Sequence, residues 1–334
     1  MFCPLQSRHT DRSVREKGTA VQDIPHTPYP TDTIGSYRLL HLLGQGATTQ
    51  VYLAEHQELR TPVAVKLQQG YWAESDVQKF LARASVMANL QHSHIVRVYD
   101  FGVEQHTAYM AMEYAPYGTL RQRHPKGVRV PLPLVVMYVQ QVAKALHYVH
   151  QHNLIHRDIK PQNMLLGTNE RVLLNDFGIA VVSQSTVPEQ SAFYDFEGTI
   201  LYTAPEQLVG LPRRASDQYS LGIVVYEWLT GTWPFTGSFD EVAQQHFFEP
   251  APPLRTHDDT ISTAVERVVL KALAKAPEDR YPSILDFAIA LSVACQESGP
   301  RLTAFHRATQ AHHTPSSLPT TKRQFKSPLP FAES

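Results

Sequence analysis

Two cysteines in 334 residues, Cys3 and Cys295, are too few and too far apart for a disulfide framework, which excludes the small cross-linked secreted class and fits a reducing compartment. Charge of one sign is also lacking. With 30 Lys and Arg against 31 Asp and Glu, the net charge of −1 gives no basic excess to draw nucleic acid or an acidic membrane surface. No apolar run reaches the length of a membrane span, and Met1-Phe2-Cys3-Pro4 leads into polar sequence rather than the apolar core of a signal peptide. A cytoplasmic chain with no membrane span and no nucleic-acid partner is expected. What is present is apolar sequence, 43% of the residues, enough for one large domain or two ordinary ones.

The most informative stretch is His156-Arg157-Asp158-Ile159-Lys160-Pro161-Gln162-Asn163. Asp158 is a candidate acceptor for the proton of an attacking hydroxyl, Lys160 a candidate counter-charge to a moving phosphoryl group, and the amide oxygen of Asn163 a candidate metal ligand. Asp176-Phe177-Gly178 begins thirteen residues after Asn163. Between them Val172, Leu173 and Leu174 can form a strand that returns Asp176 to the same metal. A chance His-Arg-Asp in a surface turn would have no such partner.

Along the chain, residues 1–36 mix charged and hydroxyl residues with four prolines and show no sustained period, so they read as a disordered leader. Residues 37–43 and 50–54 alternate like strands around Gly44-Gln45-Gly46, a hairpin whose glycines let backbone N–H groups approach phosphates. Val63-Ala64-Val65-Lys66 puts a lysine on a short apolar strand. Ser75 and Gln78 have the spacing of a helix cap, and Val77, Phe80, Leu81, Ala84 and Met87 predict an amphipathic helix over 76–90. Strands are expected over 95–101 and 107–113, a break at Tyr114-Ala115-Pro116-Tyr117-Gly118, and a helix over 134–150. Farther on, Ser216 is a candidate cap for a helix over 219–229 that is apolar on nearly every side and so must be buried. A helix over 264–273 and one capped by Ser283 and reaching 294 follow. Residues 297–334, rich in Pro, Ser, Thr and His with Lys322, Arg323 and Lys326, read as a disordered basic tail.

Gly44, Gly46, Val51, Lys66, the loop from His156 to Asn163, Asp176-Phe177-Gly178 and Ala204-Pro205-Glu206 resemble, in order and spacing, the eukaryotic-type protein kinase superfamily. Lys160-Pro161-Gln162-Asn163 and Gly198-Thr199 before Tyr202-Thr203-Ala204-Pro205-Glu206-Gln207 resemble its bacterial Ser/Thr branch. The resemblance implies an α+β bilobal fold over 37–296: a β-rich N-lobe (37–112) carrying one helix, a hinge (113–118) and a mainly helical C-lobe (119–296). It implies ATP and Mg2+ as cofactors, and as partner a protein substrate with a Ser or Thr acceptor, the kinase itself among the candidates. By the same resemblance Leu43, Val51, Ala64, Met112 as gatekeeper, Glu113, Ala115 and Leu165 line an adenine pocket. Gly44, Gly46 and Lys66 serve the phosphates, and Asn163 with Asp176 holds magnesium. Asp217 braces the catalytic loop, and Arg280 pairs with Glu206.

Two departures from the family pattern matter. The third glycine of the loop is Thr49, and the helix position that should carry the glutamate partner of Lys66 is Arg83. An active kinase is one reading; a nucleotide-binding pseudokinase that serves as a signalling scaffold is the other. Keeping Asp158, Lys160, Asn163 and Asp176 together favours the enzyme. Like charges 4 Å apart repel by about 4 kcal/mol at an effective dielectric near 20, so Arg83 and Lys66 should not face each other. Either the helix swings out and leaves Lys66 mobile, or Arg83 turns to an anion such as Asp176 or the ATP phosphates, or the helix is rotated and Arg83 meets solvent. In the activation region Asp195 stands where relatives carry a phosphorylated hydroxyl, opposite Arg157 and ahead of Thr199, with Ser183, Ser185, Thr186 and Ser191 as alternative switch sites. His147, His150, His152 and His156 crowd one helix end, where packing is a better reading than a transition-metal site.

Overall fold

The computed structural model describes residues 32–46, 49–69, 73–104, 106–177 and 199–297. Six strands form an antiparallel sheet in the order β1-β2-β3-β4-β6-β5: β1 (Thr33–Ile34), β2 (Tyr37–Gln45), β3 (Thr49–His56), β4 (Pro62–Gln69), β5 (Val98–Glu104) and β6 (Thr107–Glu113). The strand period of two sorts the residues of β4. Val63, Val65 and Leu67 join Ile34, Tyr37, Ala54 and Ala111 in one cluster, while Ala64 packs with Met112, Val96, Ala115 and Leu173 in another. Lys66 therefore shares the face of Ala64. The β2–β3 register slips at Leu40 and again at Leu43, and the second bulge bends the strand just before Gly44.

Four local expectations are corrected. Thr33–Ile34 belong to the sheet rather than to a leader, because they pair with β2 and Ile34 is buried in the same cluster as Tyr37. β5 begins at Val98, since the backbone of 94–96 turns away: Leu174 N–H bonds His94 O at 2.9 Å and Val96 N–H bonds Leu174 O at 3.0 Å. The helix α1 (Glu74–Ala88) starts behind Ala73 with no side-chain cap, which puts Ser75 in its first turn; Glu74 and Asp76 there complement the positive helix end. Glu297, expected to open the tail, ends the last helix, and the remainder of the expected leader and tail lies outside the described residues.

Below the sheet, α2 (Leu120–Arg123) and α3 (Leu132–Gln151) lead to a small hairpin, β7 (Met164–Leu166) with β8 (Val172–Leu174). Then come α4 (Pro205–Leu208), α5 (Arg214–Thr230), α6 (Phe239–Phe248), α7 (Thr263–Ala272) and α8 (Ile284–Glu297). α5 is buried on every side, with Tyr219, Tyr226 and Trp228 among the largest fully buried side chains. Burying each contributes about 1.5–3 kcal/mol before the entropy of ordering is counted. Gly231 (φ 80) ends the helix in the left-handed conformation that glycine adopts without strain. Ser216 lies inside the first turn rather than capping from outside: its hydroxyl accepts from Arg213 N–H at 2.9 Å and donates to Glu206 at 2.7 Å. A β-rich lobe above a helical lobe is the bilobal α+β architecture expected.

Candidate active site

Asp217, fully buried at the start of α5, fixes the catalytic loop through its backbone. Its Oδ2 accepts from His156 N–H at 2.9 Å and from His150 Nε2 at 2.7 Å, and its Oδ1 accepts from Arg157 N–H at 2.8 Å. Arg157 adopts φ 69, a left-handed conformation uncommon for a long side chain, as the chain turns its adjacent N–H groups onto one carboxylate. Burial opposes ionisation of Asp217, yet the His150 hydrogen bond and the nearby histidines hold its carboxyl below the ordinary range. Gln207 adds a bond from its side chain to Arg157 O at 2.7 Å.

So anchored, the loop gathers its functional side chains. Asp158 Oδ2 receives Asn163 Nδ2 at 2.7 Å and Lys160 Nζ at 2.9 Å. The Asn163 amide nitrogen also donates to Asp158 O at 2.8 Å, which leaves the amide oxygen as its remaining ligand atom. Lys160 reaches on to Thr199 Oγ1 at 3.0 Å. Asp158, Lys160, Asn163 and Thr199 thus form one polar cluster.

β8 returns Asp176 to it, because Met164 pairs with Leu174 and Asn175 N–H bonds Asn163 O at 2.8 Å. His156 secures the crossing: its Nε2 lies 3.1 Å from Asn175 O and its ring 4.6 Å from Phe177. Burial pushes the His156 imidazole down, so it stays neutral and donates through Nε2. Asp176, at φ 51, accepts from Lys66 Nζ at 2.6 Å. Partial burial works against its ionisation, but the Lys66 ammonium and its hydrogen bond keep the carboxyl below the usual range.

A lysine from a sheet, a carboxylate returned by a hairpin and a buried brace beneath a loop aspartate are the arrangement expected from the sequence. The model of the protein kinase domain matches residues 37–288. This chain belongs to the protein kinase family. It is 34% identical over 264 residues to the serine/threonine-protein kinase PrkC of Bacillus subtilis, which covers 75% of this chain and 39% of PrkC. It is 37% identical over 274 residues to Pkn1 of Myxococcus xanthus, with 79% and 39% covered, and 40% identical over 255 residues to PknB of Mycobacterium leprae, with 73% and 40% covered. The chain spans about two fifths of the length of these curated relatives.

In this kinase the structure brings most of the expected adenine-pocket side chains together. Ala64, Met112 and Ala115 are buried in one cluster, with Val51 and Leu165 packed against it. Leu43, at the bulge, is 38% exposed, and Gly44 pairs with Val51. Gly46 closes the turn onto Thr49, its N–H 2.8 Å from Thr49 O, and a Cβ there would lie 2.9 Å from Thr49 Oγ1. A side chain at position 46 would make the Thr49 hydroxyl turn aside. Glu113 turns its carboxylate to Arg171, which leaves only its backbone for a pocket.

Arg83 does lie in α1, half-buried. Lys66 is not left mobile, because Asp176 takes the place a helix glutamate would have. The expected Arg280–Glu206 pair is present and bidentate, at 2.7 and 2.9 Å. The crowded histidines go to separate partners: His147 to Gln151, His152 to Tyr148 O, His150 to Asp217 and His156 to Asn175 O. No group of three metal-binding side chains occurs among the described residues. Asp195, Ser183, Ser185, Thr186, Ser191, Gly178 and Gly198 lie outside the described residues.

Some of the machinery had no counterpart in the sequence reading. Arg121 grips Glu227 at 2.7 and 2.9 Å and Tyr202 Oη at 2.6 Å, and Trp233 Nε1 adds a bond to the same hydroxyl at 2.9 Å. These partners come from distant segments and carry no local pattern. α6 is different, because Ser238 and Glu241 form a capping box whose spacing is visible in the sequence.

Proposed function

We propose that this chain is a Ser/Thr protein kinase that transfers the γ-phosphoryl group of ATP to hydroxyls of a protein substrate, itself included. The observation that carries this is the meeting of Asp158, Lys160, Asn163 and Thr199 beside the Lys66–Asp176 pair. Asp158 takes the proton as the acceptor oxygen bonds to the γ-phosphorus and the bond to the β-phosphate oxygen breaks; Lys160 balances charge on the moving group. Lys66 exchanges its hold on Asp176 for the nucleotide phosphates. Asn163 and Asp176, an amide oxygen and a carboxylate, are hard donors suited to a divalent cation such as Mg2+. When bound, that cation supplies charge neutralisation between the phosphates.

The similarity to serine/threonine-protein kinases supports the Ser/Thr class. We place the reaction in the cytoplasm, where ATP is available and an unpaired, buried Cys295 stays reduced. No helix among the described residues is long and apolar enough to cross a membrane. The test is phosphate transfer from ATP with magnesium, comparing wild type with Asp158→Asn. Equal background from both, with ATP still bound, would replace the enzyme by a nucleotide-binding scaffold.

A further inference from the structure

Arg157, the residue before Asp158, is held in its left-handed conformation (φ 69) from both sides. Its N–H donates to Asp217 Oδ1 at 2.8 Å, and its carbonyl accepts from Gln207 Nε2 at 2.7 Å. A long side chain keeps such a backbone only where its surroundings over-determine it, and here one partner grips each end of the residue. The same carbonyl belongs to the peptide unit that Arg157 shares with Asp158. That unit is planar, so a grip on its oxygen also sets the direction of the Asp158 N–H, which meets His156 Nδ1 at 3.3 Å. His156 accepts there because its ring is neutral and donates through Nε2 to Asn175 O. With the peptide fixed at both edges, the Asp158 side chain leaves the loop in one direction, toward Asn163 and Lys160.

Gln207 reaches Arg157 from a firm footing. It lies in α4, a single turn in which the preceding residue, Glu206, is locked by the two bonds of Arg280 and by the Ser216 hydroxyl. The Arg280 side chain is itself buried and also bonds Ala274 O and Lys275 O, so this anchor has little freedom. The orientation of the Gln207 carboxamide is forced, since only its nitrogen can face a carbonyl oxygen. Its Oε1 is buried and has no hydrogen-bond partner among the described residues, which leaves the donor as the working half of the side chain.

We propose that Gln207 is a positioning residue for the catalytic loop: by holding the Arg157 carbonyl it aims Asp158, so that its loss slows phosphoryl transfer without weakening the binding of ATP or peptide. The Arg280–Glu206 pair then takes part in the site as the footing of this contact. The catalytic part of this inference rests on the kinase reading; the conformational part does not.

The experiment compares two variants in the full chain. Gln207→Met keeps the length of the side chain without its N–H; Gln207→Glu keeps its shape but, ionised at about pH 8, turns an oxygen toward the Arg157 carbonyl. With a synthetic peptide carrying one threonine, kcat should fall about tenfold in Gln207→Met, the worth of one hydrogen bond, and further in Gln207→Glu. KM for ATP and for peptide should stay within about twofold of wild type in both. Amide hydrogen exchange over residues 156–159 should quicken about tenfold in Gln207→Met, with α5 unchanged. Wild-type kcat in either variant would overturn the proposal, as would a loss matched by a rise in KM for ATP. So would faster exchange spread evenly through α4 and α5, which would make Gln207 a general support of the fold. If wild type transfers no phosphate while the exchange pattern holds, the kinase reading fails and the positioning of the loop stands.

Discussion

Lys66 and Asp176, 110 residues apart, are joined by a 2.6 Å hydrogen bond and ion pair across the cleft. With Arg83 in the helix place where the family resemblance expects a glutamate, Lys66 bonds the carboxylate proposed to hold a metal. Nucleotide uptake must then compete with this pair. Both side chains are about one third exposed, 29% and 37%, so solvent screens it and the exchange is affordable.

The family resemblance expects a carboxylate at position 83 to anchor Lys66. Arg83→Glu should therefore raise kcat/KM for ATP by about two- to fivefold, the scale of one partly exposed ion pair. Steady-state kinetics of Arg83→Glu beside Arg83→Ala decide it. Weaker ATP binding in both variants would instead assign Arg83 to the phosphates.

Asp158→Asn should abolish transfer, because the amide cannot take a proton. Lys66→Ala and Asp176→Asn should each cut kcat by about 10²–10³-fold, the usual loss for removing charge stabilisation from a water-poor site. Thermal melting should barely change in Asp158→Asn, since Asp217 holds the loop by its backbone. A variant that melts early would mean the lost activity reports unfolding instead.

Legibility from sequence followed the range of the interactions. The catalytic loop, β8 and the glycine hairpin are local patterns whose partners are set by short connections, and they stand where spacing and resemblance put them. Helix starts were less legible: Ser75 and Ser216 have the right chemistry for caps, but such residues also fit a first turn, and burial of neighbouring elements chose between the two. The partner of Lys66 depends on a hairpin more than a hundred residues away, so no window contains it. The Arg121–Glu227–Tyr202 cluster fails to show for the same reason.

Asp217 is the structural counterpart of this long-range wiring. Asp217→Ala would leave His150 and two backbone N–H groups without their acceptor in a buried place, at a cost of about 3–5 kcal/mol. Urea denaturation should show that loss along with inactivation. Asp217→Asn keeps one acceptor oxygen and should fall between. Wild-type stability in Asp217→Ala would show that water or another group takes over the bonds.

Acid should destabilise this protein well before its carboxylates titrate. His246 is held neutral with its pKa pushed down to about 3, and His156, His92, His94 and His124 are pushed down chiefly by burial as well. An unfolded histidine titrates near 6.5, so as pH falls below that value the unfolded chain binds protons that the folded one refuses, and stability drops. One such histidine costs about 1.4 kcal/mol by pH 5.5. Asp217, Asp176 and Glu206 act lower: despite burial their partners hold them below the carboxylate range, so their stabilisation is present above roughly pH 4–4.5 and is lost only below it. The window between about 6.5 and 4.5 therefore belongs to the histidines. Urea unfolding of wild type should lose stability between pH 7.5 and 5.5, about 1.4 kcal/mol of it at His246. His246→Phe, whatever its stability at pH 7.5, should lose about 1.4 kcal/mol less over the same interval. An identical pH dependence in the two proteins would mean that His246 takes up its proton in the folded state, against its burial between Tyr219 and Phe235.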